Sequence, residues 1–139
     1  MYRLVIALAL ALIALPAGAQ NSGAQNSNAG LSGQWQGSYG YADSRPPVSF
    51  IMEATFADGS LSGTISEPNT FGTPGVPFLH AYVRGSIDGD VIQFTKTYDG
   101  TGGQSHSVQY NGVIDRANRR ITGAWRIQGS GGQFTMTMQ

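Results

Sequence analysis

From Gly33 onward apolar and polar residues alternate with a period of two, and no stretch of about 11 residues keeps the 3.6-residue apolar period of a helix. Successive side chains of a strand point to opposite faces, so this alternation predicts strands with one buried face. Eight such runs follow one another. Gly33–Tyr41 aligns Trp35, Gly37, Tyr39 and Tyr41; Val48–Phe56 aligns Val48, Phe50, Met52, Ala54 and Phe56; Ser60–Glu67 aligns Leu61, Gly63, Ile65 and Glu67; Phe78–Ile87 aligns Leu79, Ala81, Val83 and Gly85. Val91–Tyr98 aligns Ile92, Phe94, Lys96 and Tyr98; Ser105–Ile114 aligns His106, Val108, Tyr110, Gly112 and Ile114; Arg120–Gln128 aligns Ile121, Gly123, Trp125 and Ile127; Gln133–Met138 aligns Phe134, Met136 and Met138.

The fold class expected is all-β. Eight short strands with one inward face each and short connections close into an antiparallel up-and-down barrel, with a two-sheet β-sandwich as the alternative. Inward glycines at 37, 63, 85, 112 and 123 favour the barrel, because a sharply coiled wall needs positions without a Cβ where it bends. In up-and-down order the connections at one end are compact: Ala57–Gly59, Asp88–Asp90 and Asp115–Arg119. Those at the other end, Ala42–Pro47, Pro68–Pro77, Asp99–Gln104 and Gly129–Gly132, are mostly longer. Binding residues concentrate on loops carried by a rigid scaffold, so the second end is the mouth to inspect.

Ahead of the barrel, Arg3, an apolar run from Leu4 to Leu15 and the small-residue close Ala17-Gly18-Ala19 read as a secretory signal peptide. Cleavage after Ala19 leaves residues 20–139; Ser22-Gly23-Ala24 offers a second cleavage point after Ala24. Residues 20–30, polar and small, read as a flexible leader, and 31–139 as one domain. The expected location is secreted or periplasmic. The apolar run is shorter than the ~20 residues of a membrane span, so no membrane association is expected after cleavage.

Charge narrows the partners. The chain has eight basic and eight acidic side chains, and losing Arg3 leaves a slight acidic excess. That gives no basic field for a phosphate backbone, so nucleic acid is not an expected partner. Cys is absent, which excludes disulfides and thiolate metal sites.

Following each inward face to the loop-bearing mouth gathers Tyr41, Glu67, Lys96, Tyr98 and His106, with Tyr110 and Trp125 a layer deeper. An apolar pocket carrying a few polar groups is the pattern of a small-molecule site. A solvated Glu67–Lys96 pair at wet strand ends is the plainer reading. His106 could act as a general base, yet Ser105 and Ser107 face away from it and no nucleophile is indicated, so no enzyme activity is expected. With His80 facing out, no metal is expected, and no cofactor. Asp88-Gly89-Asp90 reads as a hairpin turn rather than a calcium loop.

Gly33-x-Trp35 opening the first strand, Ile121-Thr-Gly-Ala-Trp125 in the penultimate one, Asp58-Gly59-Ser-Leu61-Ser-Gly63 and Ser107-Val-Gln-Tyr110-Asn-Gly112 resemble the calycin group of barrels, its avidin side more than its lipocalin side. The resemblance covers Leu31 to the C-terminus and implies that Trp125 lines a ligand pocket. Avidin's biotin-contacting Asn and Ser are here Gly37 and Tyr41, its strand-F Trp is Tyr110, and no acidic residue stands near Gly132-Gln133-Phe134, so biotin specificity is not implied. The lipocalin side would have Arg120 or Arg126 packing over Trp35.

The function expected is an exported protein holding a partly apolar small molecule at the mouth. The alternative is a protein-interaction module, such as a protease inhibitor, with a filled barrel. An interior space of roughly 300 Å³ or more between Trp125, Tyr110 and Lys96 would favour the first.

Overall fold

The structure, a computed structural model, describes residue 28 and residues 30–139; the expected signal peptide and nearly all of the leader lie outside the described residues. Eight strands follow in order: β1 (Gly33–Tyr39), β2 (Val48–Ala57), β3 (Ser60–Pro68), β4 (Phe78–Asp88), β5 (Val91–Tyr98), β6 (Ser107–Asp115), β7 (Arg120–Ile127) and β8 (Ser130–Met138). Each pairs antiparallel with the next, and β8 returns to β1 with Trp35 opposite Met138 and Tyr39 opposite Phe134. The result is a closed up-and-down barrel rather than a sandwich.

The alternation carries through to burial. In β2, Val48, Phe50, Met52, Ala54 and Phe56 are buried and the residues between them exposed, and β5 buries Ile92, Phe94, Lys96 and Tyr98. The inward glycines stand where neighbouring strands approach most closely. A Cβ on Gly63 would overlap the Glu53 carbonyl oxygen, and one on Gly123 would overlap that of Asn111. The wall therefore bends at these positions.

The interior is filled by side chains in layers. At the compact end, Leu31 and Phe56 close over Trp35, whose indole N–H donates to the Leu31 carbonyl at 2.9 Å. Arg120 and Arg126 are exposed, so the lid over Trp35 is apolar rather than the arginine implied by the lipocalin likeness. Asn28 is held at this end by Arg116, whose Nη1 donates to Asn28 Oδ1 at 3.0 Å. In mid-barrel Phe94 stacks on Tyr110, centroids 4.7 Å apart, and Phe134 packs edge-on against both.

One connection differs from expectation. Gly129–Gly132 reads as a loop in sequence, but β8 begins at Ser130 and joins β7 through a tight turn with Gly129 at φ 76°. Gly131 and Gly132 are strand residues paired with Arg126 and Trp125 of β7, and the chain leaving β1 passes so close that a Cβ on Gly132 would overlap the Gly40 carbonyl. Three of the four connections at the mouth are thus long, and the fourth is compact.

Candidate functional site

Two residues expected at the mouth lie beneath it. Glu67 and Lys96 are each 1% exposed, and Lys96 Nζ donates to Glu67 Oε1 at 2.5 Å. Glu67 Oε2 accepts from the Tyr39 hydroxyl at 2.6 Å. The ammonium also lies 4.6 Å from the Tyr98 ring centroid and 4.9 Å from that of Tyr39. Neither lines the mouth, whether as a ligand contact or as a solvated pair: they form a buried, paired unit beneath it. Phe71, on the β3–β4 loop, packs edge-on against Tyr98.

Taking both charges out of water costs several kcal/mol per ion, and direct pairing with further hydrogen bonds is what offsets it. Here every buried side-chain nitrogen and oxygen of the described residues has a partner. Burial lowers the Lys96 pKa from its ordinary value, while the Glu67 charge and hydrogen bond oppose that shift. The phenols above move the other way. Burial first, then the Glu67 charge, raises Tyr39, Tyr98 and Tyr110 far above the usual tyrosine range.

Above this layer the mouth holds a cleft of about 180 Å³ lined by Tyr39, Tyr41, Arg45, Phe71, Tyr98, His106, Val108, Tyr110, Trp125, Ile127 and Ser130. Five of the seven expected site residues meet there: Tyr41, Tyr98, His106, Tyr110 and Trp125. Tyr110 and Trp125 belong to the lining itself rather than to a layer below it. Tyr41 lies just beyond the end of β1 and His106 just before β6, so both are carried by chain entering or leaving the wall.

Local chemistry fixes each wall. Trp125 is anchored by its indole N–H, which donates to the Gly40 carbonyl at 2.8 Å, an approach that requires Gly132 opposite it. In the β1–β2 loop, Arg45 Nε donates to both Asp43 oxygens, at 3.0 and 2.9 Å, and its guanidinium carbon sits 3.7 Å above the Tyr41 ring centroid. That pairing lowers the Asp43 pKa and raises that of Arg45.

The β3–β4 loop is organised by Asn69. Its amide donates to the Thr73 and Val76 carbonyls, each at 2.8 Å, and its Oδ1 accepts from Gly72 N–H at 2.6 Å, an Asx-type closure. Thr73 N–H then donates to the Gly102 carbonyl at 2.8 Å, latching this loop to the β5–β6 connection and its single 3₁₀ turn, Thr101–Gly103. The latch sets Phe71 against Tyr98 and His106, whose own rings are 4.7 Å apart.

Sequence reasoning missed Phe71 and Arg45, which lie in aperiodic loops, and did not give Tyr39 a role although its inward parity was visible. The Asn69-Thr-Phe-Gly72 run was the available sign of a structured loop. Chemically, the cleft offers aromatic surface with a few polar edges. His106 is packed between rings, and no group of three or more potential metal ligands comes together among the described residues. No protein-family model matches the chain, and no curated protein matches it in sequence. The architecture is consistent with a calycin-like barrel.

Proposed function

We propose that the chain is an exported, non-catalytic binding protein whose mouth cleft takes a small, partly apolar molecule. The observation that carries this reading is a recess lined with aromatic rings at one end of an otherwise filled barrel, its walls already held by the Asn69 and Trp125 hydrogen bonds. Walls fixed before binding reduce the ordering cost of association. Trp125, on the penultimate strand, lines the cleft as the avidin resemblance implies. At about 180 Å³ the space is nearer to the ~150 Å³ cavity that takes a benzene ring than to a drug-sized site.

The test is an NMR titration of the protein with a panel of single-ring aromatics, small organic cations and small carboxylates. Saturable shifts confined to Tyr41, His106 and the Trp125 indole N–H are expected, and Tyr41→Ala should weaken them. A panel that shifts only outer-wall residues, or none, refutes the pocket. Export is checked by the intact mass of protein recovered outside the cytoplasm, which should begin at Gln20 or Gln25.

A second reading, a protein-interaction module, draws on different observations. The interior beneath the cleft is filled, the cleft is smaller than the ~300 Å³ set as the mark of a ligand cavity, and the Pro68–Pro77 loop is rigidly presented. Replacing residues 70–75 by a Gly/Ser segment separates the two: loss of a protein partner supports this reading, whereas an unchanged partner complex removes the loop from it.

A further inference from the structure

The cleft's chemistry goes further than "partly apolar". Six aromatic rings line it, from Tyr39, Tyr41, Phe71, Tyr98, Tyr110 and Trp125. A slot for a flat ligand needs parallel walls, but no touching pair among the lining rings is stacked: the planes meet at 86° for Tyr41–Trp125, 74° for Tyr39–Trp125, 73° for Tyr39–Tyr41 and 90° for Phe71–Tyr98, and at 41° and 49° where His106 meets Tyr98 and Phe71. Walls set this way form a box, which suits a compact group with similar extent in every direction.

Two cations already lie against the rings of this box, one at the mouth and one beneath it. Arg45 lies on the Tyr41 face, and Lys96 lies against Tyr98 and Tyr39 from below. The negative face of an aromatic ring attracts positive charge, the more so where water is excluded. Neither resident cation brings net positive charge to the cleft, because Arg45 is paired to Asp43 and Lys96 to Glu67. Lys96 is enclosed at 1% exposure, whereas the Arg45 side chain is 57% exposed.

Resting on the binding reading above, we infer that the cleft is an aromatic cage for a small alkylated ammonium group, with the Arg45 guanidinium as the internal occupant that the ligand displaces from Tyr41. Methylation removes the strong hydration of a primary ammonium while keeping its charge, so ring faces can compete with water for such a head. A quaternary head also needs no hydrogen-bond acceptor, and the buried Glu67 carboxylate is already occupied by Lys96 and Tyr39.

The test titrates the intact protein with choline and with 3,3-dimethylbutan-1-ol, its uncharged isostere, alongside phenol, following the Tyr41 and Trp125 signals by NMR. Choline should bind at least about tenfold more tightly than the isostere. Arg45→Gln, at an exposed position, should tighten choline several-fold by freeing the Tyr41 face, and Tyr41→Leu should weaken it. If the isostere or phenol binds this cleft as well as choline, the cage inference fails and the pocket reading stands. If Arg45→Gln weakens choline, Arg45 is not a competitor and the inference is overturned. If no compound here or in the wider panel shifts the mouth residues, both fall together.

Discussion

Replacing Glu67 by Gln keeps the side chain's shape and removes its charge, leaving the Lys96 ammonium, 1% exposed, without a counter-ion. The substituted amide oxygen can still accept from the Tyr39 hydroxyl, so geometry is preserved and the perturbation is electrostatic. The variant's cheapest escape is to fold with Lys96 deprotonated. Releasing that proton at pH 7 from an ordinary value of 10.5 costs about 5 kcal/mol, which is the ceiling on the loss. Burial already lowers Lys96 in the wild type, so the expected loss lies under the ceiling, at about 3 kcal/mol, the lower end for breaking a buried pair.

The pH dependence carries the sharper signature. A lysine whose folded pKa lies below its unfolded one makes folding release a proton, so stability rises with pH between the two values, by about 1.4 kcal/mol per unit. Without Glu67 the folded value drops further and that window widens downward. The deficit of Glu67→Gln against wild type should therefore shrink as pH rises through the added part of that window. Guanidinium denaturation at pH 7, 8 and 9 measures it. The double variant Glu67→Gln/Lys96→Met removes both charges and should recover to within ~1 kcal/mol of wild type. A single-variant loss below ~1 kcal/mol, or a deficit that does not change with pH, would refute the buried-pair argument.

Two further predictions concern the rings and the wall. Tyr39, Tyr98 and Tyr110 have pKa values raised above their ordinary 10.0, so the stability they contribute is fully present below pH 10 and is lost as pH climbs above it, at ~4 kcal/mol per unit for the three together. Absorbance at 295 nm should therefore show these phenols ionising only as the barrel unfolds; complete tyrosine ionisation with the native circular dichroism intact would contradict this. Gly123→Ala forces a Cβ onto the Asn111 carbonyl oxygen and should cost ~1–3 kcal/mol, lowering the thermal midpoint by roughly 5–20 °C, whereas Gly40→Ala, whose Cβ would meet nothing within 4 Å, should cost less.

Alternation made the barrel legible, because one wet face and one dry face per strand leave a period of two in residues such as Val48–Phe56. The bends were legible for a related reason, since glycine at an inward position has no packing role except to let another strand approach. Extending the parity past the strand ends pointed to Tyr41 and His106, which both line the cleft. Depth was not legible. Strands in a barrel are tilted and staggered, so counting from a strand's end does not give height along the axis. Lys96 is two residues from the end of β5 yet is 1% exposed, its ammonium against the Tyr98 ring, which Phe71 meets edge-on from the connection between two other strands. The Gly129–Gly132 run was misread for the opposite reason: with no side chains to alternate, a strand looks like a loop.

The seam between β1 and β8 has a kinetic consequence. Seven of the eight strand pairings join neighbours in the chain and can form as hairpins, while the eighth brings Trp35 to Met138 across roughly 100 residues. Closing so long a loop loses chain entropy before the contacts return it, so seam formation is the step expected to limit folding. Until it happens, two strand edges stay unpaired, and one of them carries the Met136 and Met138 side chains. The nascent barrel is therefore most open to association with another chain in the interval after its hairpins form and before its ends meet.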